Sequence, residues 1–251
     1  MIRTVAGIFL PLTLIASTGA FATPPAIDTP MHSAATPATP VRMELAKELV
    51  GYTQPKELML HAVLTGWEKG VAEQDEDYQA DLEAIQPGLG AKLAERGKAE
   101  LVTLVAEQIP QMHERLAALF AGNCTEEELK SLIAFYSSPA GAKMIRSITM
   151  SDSGEEAFDD EQLTTAEATS ANRKAAKEAV KLLDGDEWLA AVKFSVSPGG
   201  RVVKALGPQV QAISAEWMTR LMADFGKRIE SITEEMVKRA VEEADKMAGD
   251  N

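Results

Sequence analysis

The residues that most often carry chemistry or staple a fold are scarce: one cysteine, three histidines, three tryptophans and three tyrosines among 251 residues. The lone Cys124 excludes an internal disulfide, and no lipobox precedes it near the amino terminus. It reads as a small buried hydrophobe rather than a reactive thiol. Runs of β-branched residues are missing and aromatics amount to 5%, which removes the usual material of strands. Basic residues are outnumbered by acidic ones, 25 to 38, for a formal net charge of −13. That acidity favours solubility and excludes phosphate-backbone binding, and so nucleic acid, as a main role. No segment of the body of the chain approaches the length of a transmembrane span.

Catalytic signatures are missing as well. There is no Gly-x-Ser-x-Gly elbow, no Ser-x-x-Lys pair, no phosphate loop and no His-Glu-x-x-His pair. Glu57 lies one helical turn before His61, and Glu114 adjoins His113. Such pairs contribute to metal sites only when further ligands converge, so both histidines are read as helix-surface residues. Carboxylates are too plentiful for any pair to stand out. The expectation is a protein that is not an enzyme and has no cofactor and no metal site.

What is present begins with an address. Arg3 precedes a short apolar stretch from Val5 to Ala16, and Ala20-Phe21-Ala22 supplies the small-x-small pattern of a signal-peptidase site. Residues 1–22 are therefore expected to be a signal peptide cleaved after Ala22, with the mature chain periplasmic or secreted. Residues 23–41 are rich in Pro, Thr and Ala, cannot build a core, and read as a disordered linker; His32 within them is incidental.

Abundant Ala, Leu, Glu, Lys and Met favour helices from there on. The pattern predicts helices over about Met43–Tyr52, Lys56–Val71 and Asp77–Ile85, the last stopped by Gln86-Pro87-Gly88. A long helix from Leu89 to Phe120 follows, weakened at Gly97, bent or restarted at Pro110, and ended by Gly122-Asn123. Residues 151–161 hold six carboxylates and no base. They lack the one-three-five ligand spacing of a calcium loop and read as an acidic linker. A helix over Leu163–Leu183 leads on. After Gly207-Pro208 a stripe through Val210, Ile213, Trp217, Leu221, Phe225, Ile229, Ile232, Met236 and Ala240 predicts a long amphipathic helix, with room for a break near Gly226 and Ser231. Glu234/Lys238, Glu235/Arg239 and Glu242/Lys246 stand four apart along it, the favourable order on an exposed face.

One phrase occurs twice. Phe135-Tyr136-Ser137-Ser138-Pro139-Ala140-Gly141 is echoed by Phe194-Ser195-Val196-Ser197-Pro198-Gly199-Gly200, and upstream Glu128, Leu129 and Ile133 align with Glu187, Trp188 and Val192. Thr125 with Glu128 forms a capping box, and Asp184 with Glu187 stands in the same place. Proline disfavours helical backbone at the residue before it and suits the first position of a helix, which makes Ser138 and Ser197 N-caps. Gly141 then sits at N3, where glycine is costly unless another backbone approaches closely. The duplicated phrase reads as a helix–corner–helix unit. Tyr136 beside Ser137 and Ser138 is its one polar cluster, taken as corner hydrogen bonding.

The segment Thr125–Lys143, with its Glu-Leu, Phe-Tyr, Ser-Pro, Gly and Lys elements, resembles the signature of domain-of-unknown-function family 2059, a family of exported bacterial proteins. With the helix before it, the resemblance spans about sixty residues. It implies a helical periplasmic or secreted domain without an established activity. The second copy is degenerate: Ser195 replaces Tyr136, and Val202 replaces Lys143.

These readings define an all-α helical bundle made of two related helix–corner–helix units and a long C-terminal amphipathic helix. Residues 42–150 hold the first unit and 162–251 the second. The expected function is non-catalytic: an envelope interaction module that binds another protein through an apolar groove between helices. The alternative is a carrier of a hydrophobic small molecule in a bundle cavity, which eleven methionines would suit. An envelope hydrolase stands third.

Overall fold

A computed structural model describes residues 38–72, 74, 76–150 and 178–249. The signal segment with its cleavage after Ala22, the linker up to residue 37, the acidic linker 151–161 and the helix start at Leu163 lie outside the described residues. Among those described, the chain is all-α, with no strand. The helices are α1 (Pro40–Thr53), α2 (Lys56–Ala72), α3 (Glu76–Ile85), α4 (Leu89–Asn123), α5 (Glu126–Tyr136), α6 (Pro139–Thr149), α7 (Gly185–Ser195) and α8 (Pro198–Gly249). Residues 178–181, ahead of α7, are helical.

Helix α1 starts earlier than its periodicity suggests and takes the last two residues of the expected linker. Thr39 caps it by accepting from the Arg42 backbone N–H at 3.2 Å, and Pro40 sits at the first helical position, where its missing N–H costs nothing. At the end of α3 the chain turns through Gly88 at φ 78°, a left-handed conformation that suits glycine, as the Pro87-Gly88 stop implied.

The expected restart at Pro110 and break near Gly226 and Ser231 do not occur. Helix α4 runs unbroken through Gly97 and Pro110, and α8 runs unbroken through Pro208, Gly226 and Ser231. Proline removes one hydrogen bond and crowds the carbonyl four residues back. Here both prolines are exposed, and so are Ala106 and Lys204 four residues before them, which leaves the freed carbonyls to water. Buried Ile109 and Met112 beside the first, and Leu206 and Val210 beside the second, offset the loss. Helix α4 ends at Asn123, as the Gly122-Asn123 stop implied, though not through a left-handed glycine; the Asn123 side chain donates to the Leu119 carbonyl at 2.7 Å.

The chain divides into two compact units, with boundaries inside α2, α4 and α8. One holds Leu60–Gln108 and the chain from Met218 on. Its core is built from α2, α3, α4 and the stripe of α8, with Trp67 set edge-on to Phe225 at 5.3 Å and Leu82, Leu89, Leu93 and Ala240 clustered. Gly97 admits this packing: a Cβ there would lie 2.8 Å from the Trp67 ring. Arg228 binds Glu100 and Glu107 of α4 at 2.6 and 2.8 Å. On the outer face of α8, Arg239 pairs with Glu235 as expected, whereas Lys238 reaches Glu242 rather than Glu234.

Of the described residues, the other unit holds those from 38 to Met59 and those between Ile109 and Trp217, and therefore both repeated phrases. Helix α1 packs along α5 through Ala46, Leu49, Val50 and Thr53, while α6 and α7 pack on each other and on α5.

Candidate functional site

The first corner is built by the bonds its sequence calls for. Thr125 Oγ1 accepts from the Glu128 N–H at 3.2 Å, and the Glu128 carboxylate accepts from the Thr125 N–H at 2.8 Å. At the other end of α5, Ser138 Oγ accepts from the Gly141 N–H at 3.3 Å and donates to the Phe135 carbonyl at 2.6 Å. The second phrase repeats the pattern. Asp184 and Glu187 exchange their two capping bonds at 3.0 Å each, and Ser197 Oγ accepts from the Gly200 N–H at 3.1 Å. Pro139 and Pro198 open the helices that follow.

Both N3 glycines face a backbone. A Cβ on Gly141 would lie 2.2 Å from the Phe135 carbonyl oxygen and 2.6 Å from Tyr136 Cα. A Cβ on Gly200 would lie 2.2 Å from the Phe194 carbonyl oxygen. In each case the crowding comes from the last turn of the helix that precedes the corner. The glycine is what lets the chain fold back so tightly.

The two phrases also meet. Phe135 and Phe194 stack with ring centroids 4.0 Å apart and planes 4° apart, and Tyr136 sits edge-on to Phe194 at 5.7 Å. Lys143 of α6 binds the Glu187 carboxylate, the same group that caps α7. That ammonium, and after it the Asp184 backbone N–H, hold the Glu187 carboxyl below its ordinary range. The link between Lys143 and the second cap escaped the sequence reading. The available signal was that the second phrase has Val202, which is buried, where the first has Lys143.

Tyr136 corrects an expectation. Its hydroxyl makes no corner hydrogen bond: the side chain is 1% exposed, and the oxygen has no partner among the described residues. Burial pushes the phenol's pKa well up, so it stays protonated.

The remaining titratable candidates do not assemble into a reactive centre. His61 is exposed. His113 is half-buried rather than on the helix surface; burial first, and the Lys56 ammonium second, lower its pKa against a hydrogen bond to the Gln54 backbone. Burial, then the Glu128 carboxylate, push the Cys124 thiol up to about 12, against the opposing pull of Arg42. No group of three His, Cys, Asp or Glu side chains gathers for a metal among the described residues. Met59, Met112, Met144 and Met218 are buried as packing residues.

The surface feature that stands out is on α7. Trp188, Leu189, Val192 and the following Val196 form an exposed apolar stripe, with Leu182 exposed just before the helix. In the first phrase Leu129, at the position of Trp188, is fully buried in the helix that α1 covers. Trp188 is 49% exposed.

Residues 110–148 match the model of a family described as "Uncharacterized protein conserved in bacteria (DUF2059)". The match takes in α4 from Pro110 onward, α5 and α6, and so includes the first corner but not the second. No curated protein and no solved structure matches the chain. Among the described residues no helix is long and apolar enough to cross a membrane.

Proposed function

We propose that the protein is an exported, non-catalytic interaction module of the cell envelope that binds another polypeptide chain through the apolar stripe of α7. The observation that carries this reading is the contrast between the two phrases. Phe135, Ser138 and Gly141 are consumed by the corner and its ring packing, and the Tyr136 hydroxyl is sealed from solvent in the same seam. The stripe of Trp188, Leu189, Val192 and Val196 faces outward instead. Exposed contiguous apolar surface with a tryptophan at its middle is the composition of a protein-binding patch. Export rests on the Val5–Ala16 apolar stretch and the Ala20-Phe21-Ala22 pattern. We further propose that the two phrases are copies of one duplicated helix–corner–helix unit, supported by their matched caps and matched glycine contacts.

The test is site-specific photo-crosslinking. A benzophenone amino acid in place of Val196 is introduced into the full chain in bacterial cells, and adducts are resolved by mass. An adduct that vanishes when Trp188→Asp is added is the expected result. Absence of any adduct in either background overturns the interaction reading.

A further inference from the structure

We infer that the partner of α7 is α7 of a second copy of this chain, the two helices lying antiparallel about a two-fold axis near Leu189 and Ala190; this rests on the interaction reading above. An interface between identical chains must be self-complementary, and the spacing of the stripe meets that condition. At 100° per residue, Trp188, Leu189 and Val192 share one sector of α7. Buried Ala191 and Phe194 lie on the opposite side, and Glu187, turned toward Lys143, lies with them. Inverting the helix about a point between Leu189 and Ala190 brings Trp188 of one copy within one residue of Val192 of the other, and Leu189 within one residue of its own mate.

Charge agrees with the same register. Asp186 and Lys193 are seven residues apart, two turns, and so flank the stripe on the same side; both are exposed. In an antiparallel pair the same flank of each helix meets, which brings Asp186 of one copy to Lys193 of the other, twice by symmetry. In a parallel two-fold pair opposite flanks meet, and Asp186 and Lys193 would face the flank of Ser195, which carries no charge. The helix dipoles are also opposed in the antiparallel arrangement. The exposed fractions are 60% for Leu182, 49% for Trp188, 44% for Leu189, 39% for Val192 and 70% for Val196, on the order of 500 Å² of largely apolar surface. A stable dimer buries about 800 Å² per partner, so the interface also takes in the exposed Asp186 and Lys193 at its rim.

Sedimentation equilibrium of the purified full chain decides the matter. The parent is expected at twice the monomer mass at tens of micromolar, and Trp188→Asp at the monomer mass with the far-ultraviolet circular dichroism spectrum of the parent. Asp186→Lys and Lys193→Asp should each weaken association about tenfold or more, because each creates two like-charge contacts. The double exchange should restore it to within a few-fold of the parent. A parent that stays monomeric at about 100 µM, or a double exchange no tighter than the singles, overturns the self-association. The cross-linking result separates the two levels: an adduct with a different protein from a monomeric chain overturns the homodimer and leaves the interaction reading standing.

Discussion

Replacing Gly141 by alanine is the sharpest probe of the corner, because helix propensity and packing predict opposite signs. On propensity alone the change should help by about 1 kcal/mol, since glycine inside a helix is costly relative to alanine. The structure decides otherwise. The added Cβ would stand 2.2 Å from the Phe135 carbonyl oxygen, 2.6 Å from Tyr136 Cα and 2.9 Å from the Phe135 carbonyl carbon. All three are backbone atoms, so no side-chain rotamer relieves the contact. The last turn of α5 would have to move away from α6, taking with it the Phe135 ring that stacks on Phe194 at 4.0 Å. Overpacking of this kind costs about 1–3 kcal/mol, and lost ring stacking adds about 0.5–1.5 kcal/mol. The net expectation is a loss of about 1–3 kcal/mol, or roughly 2–10 °C in melting temperature for a chain of this size. Gly200→Ala should behave alike, with a Cβ again 2.2 Å from a carbonyl oxygen. Gly122→Ala supplies the contrast, because nothing lies within 4 Å of its Cβ, and it should be neutral or stabilising. Melting followed by far-ultraviolet circular dichroism ranks the three. A Gly141→Ala variant that melts at or above the parent would refute the close-approach argument.

Tyr136→Phe should raise the melting temperature slightly, by the equivalent of about 1 kcal/mol, because it removes a buried hydroxyl without a partner and keeps the ring contacts; a fall would reveal an unseen hydrogen bond. Ser138→Ala should cost about 1 kcal/mol in a urea melt through the lost cap, and no change would sink the capping role. Glu187 has a folded pKa below its unfolded value, so its contribution is present above about pH 4.3 and is lost as pH falls through the lowered value. Urea midpoints of Glu187→Gln should therefore decline less steeply than the parent's on acidification, and parallel curves would contradict the Lys143 link. The Cys124 thiol, buried and raised to about 12, should react with an aromatic disulfide reagent at pH 8 only on unfolding; rapid labelling of the native chain would refute its burial.

Local chemistry was legible where one residue type does one job. Thr125, Ser138, Asp184 and Ser197 all cap the helices their spacing indicated, because a side-chain oxygen three residues before a free N–H has few alternatives. The stripe of α8 was legible for a similar reason: Val210, Trp217, Leu221, Phe225 and Ile229 are buried at steps of seven and four. The prolines misled because their cost is local and their compensation is not. Whether Pro110 or Pro208 breaks a helix depends on what its neighbours bury and on which face turns to water, and both are tertiary facts. Tyr136 misled likewise: beside two serines it suggested a polar corner, yet the serines bond to backbone while the ring goes inward. The stacking of Phe135 on Phe194 across fifty-eight intervening residues left no trace in local pattern at all.

Where recognition of the chain ends bears on where its function lies. The matched segment, residues 110–148, contains the first corner, and that corner spends its distinctive residues on its own construction: the glycine on a backbone approach, the serine on a cap, the aromatics on a seam. A segment can be recognisable because the fold demands those residues, without any of them touching a ligand. Lys143 fits the same pattern, since its partner is the cap of α7 and no outside molecule is needed to satisfy it. An exposed apolar surface lies beyond the match, on α7, where Trp188 stands at the position of the fully buried Leu129 of α5. Substitutions at Trp188 and Val196 should therefore change binding at nearly constant stability, whereas substitutions at Gly141 and Phe135 should change stability first. If a Phe135→Leu variant lost binding while melting like the parent, that division of labour would be wrong and the signature itself would be the site.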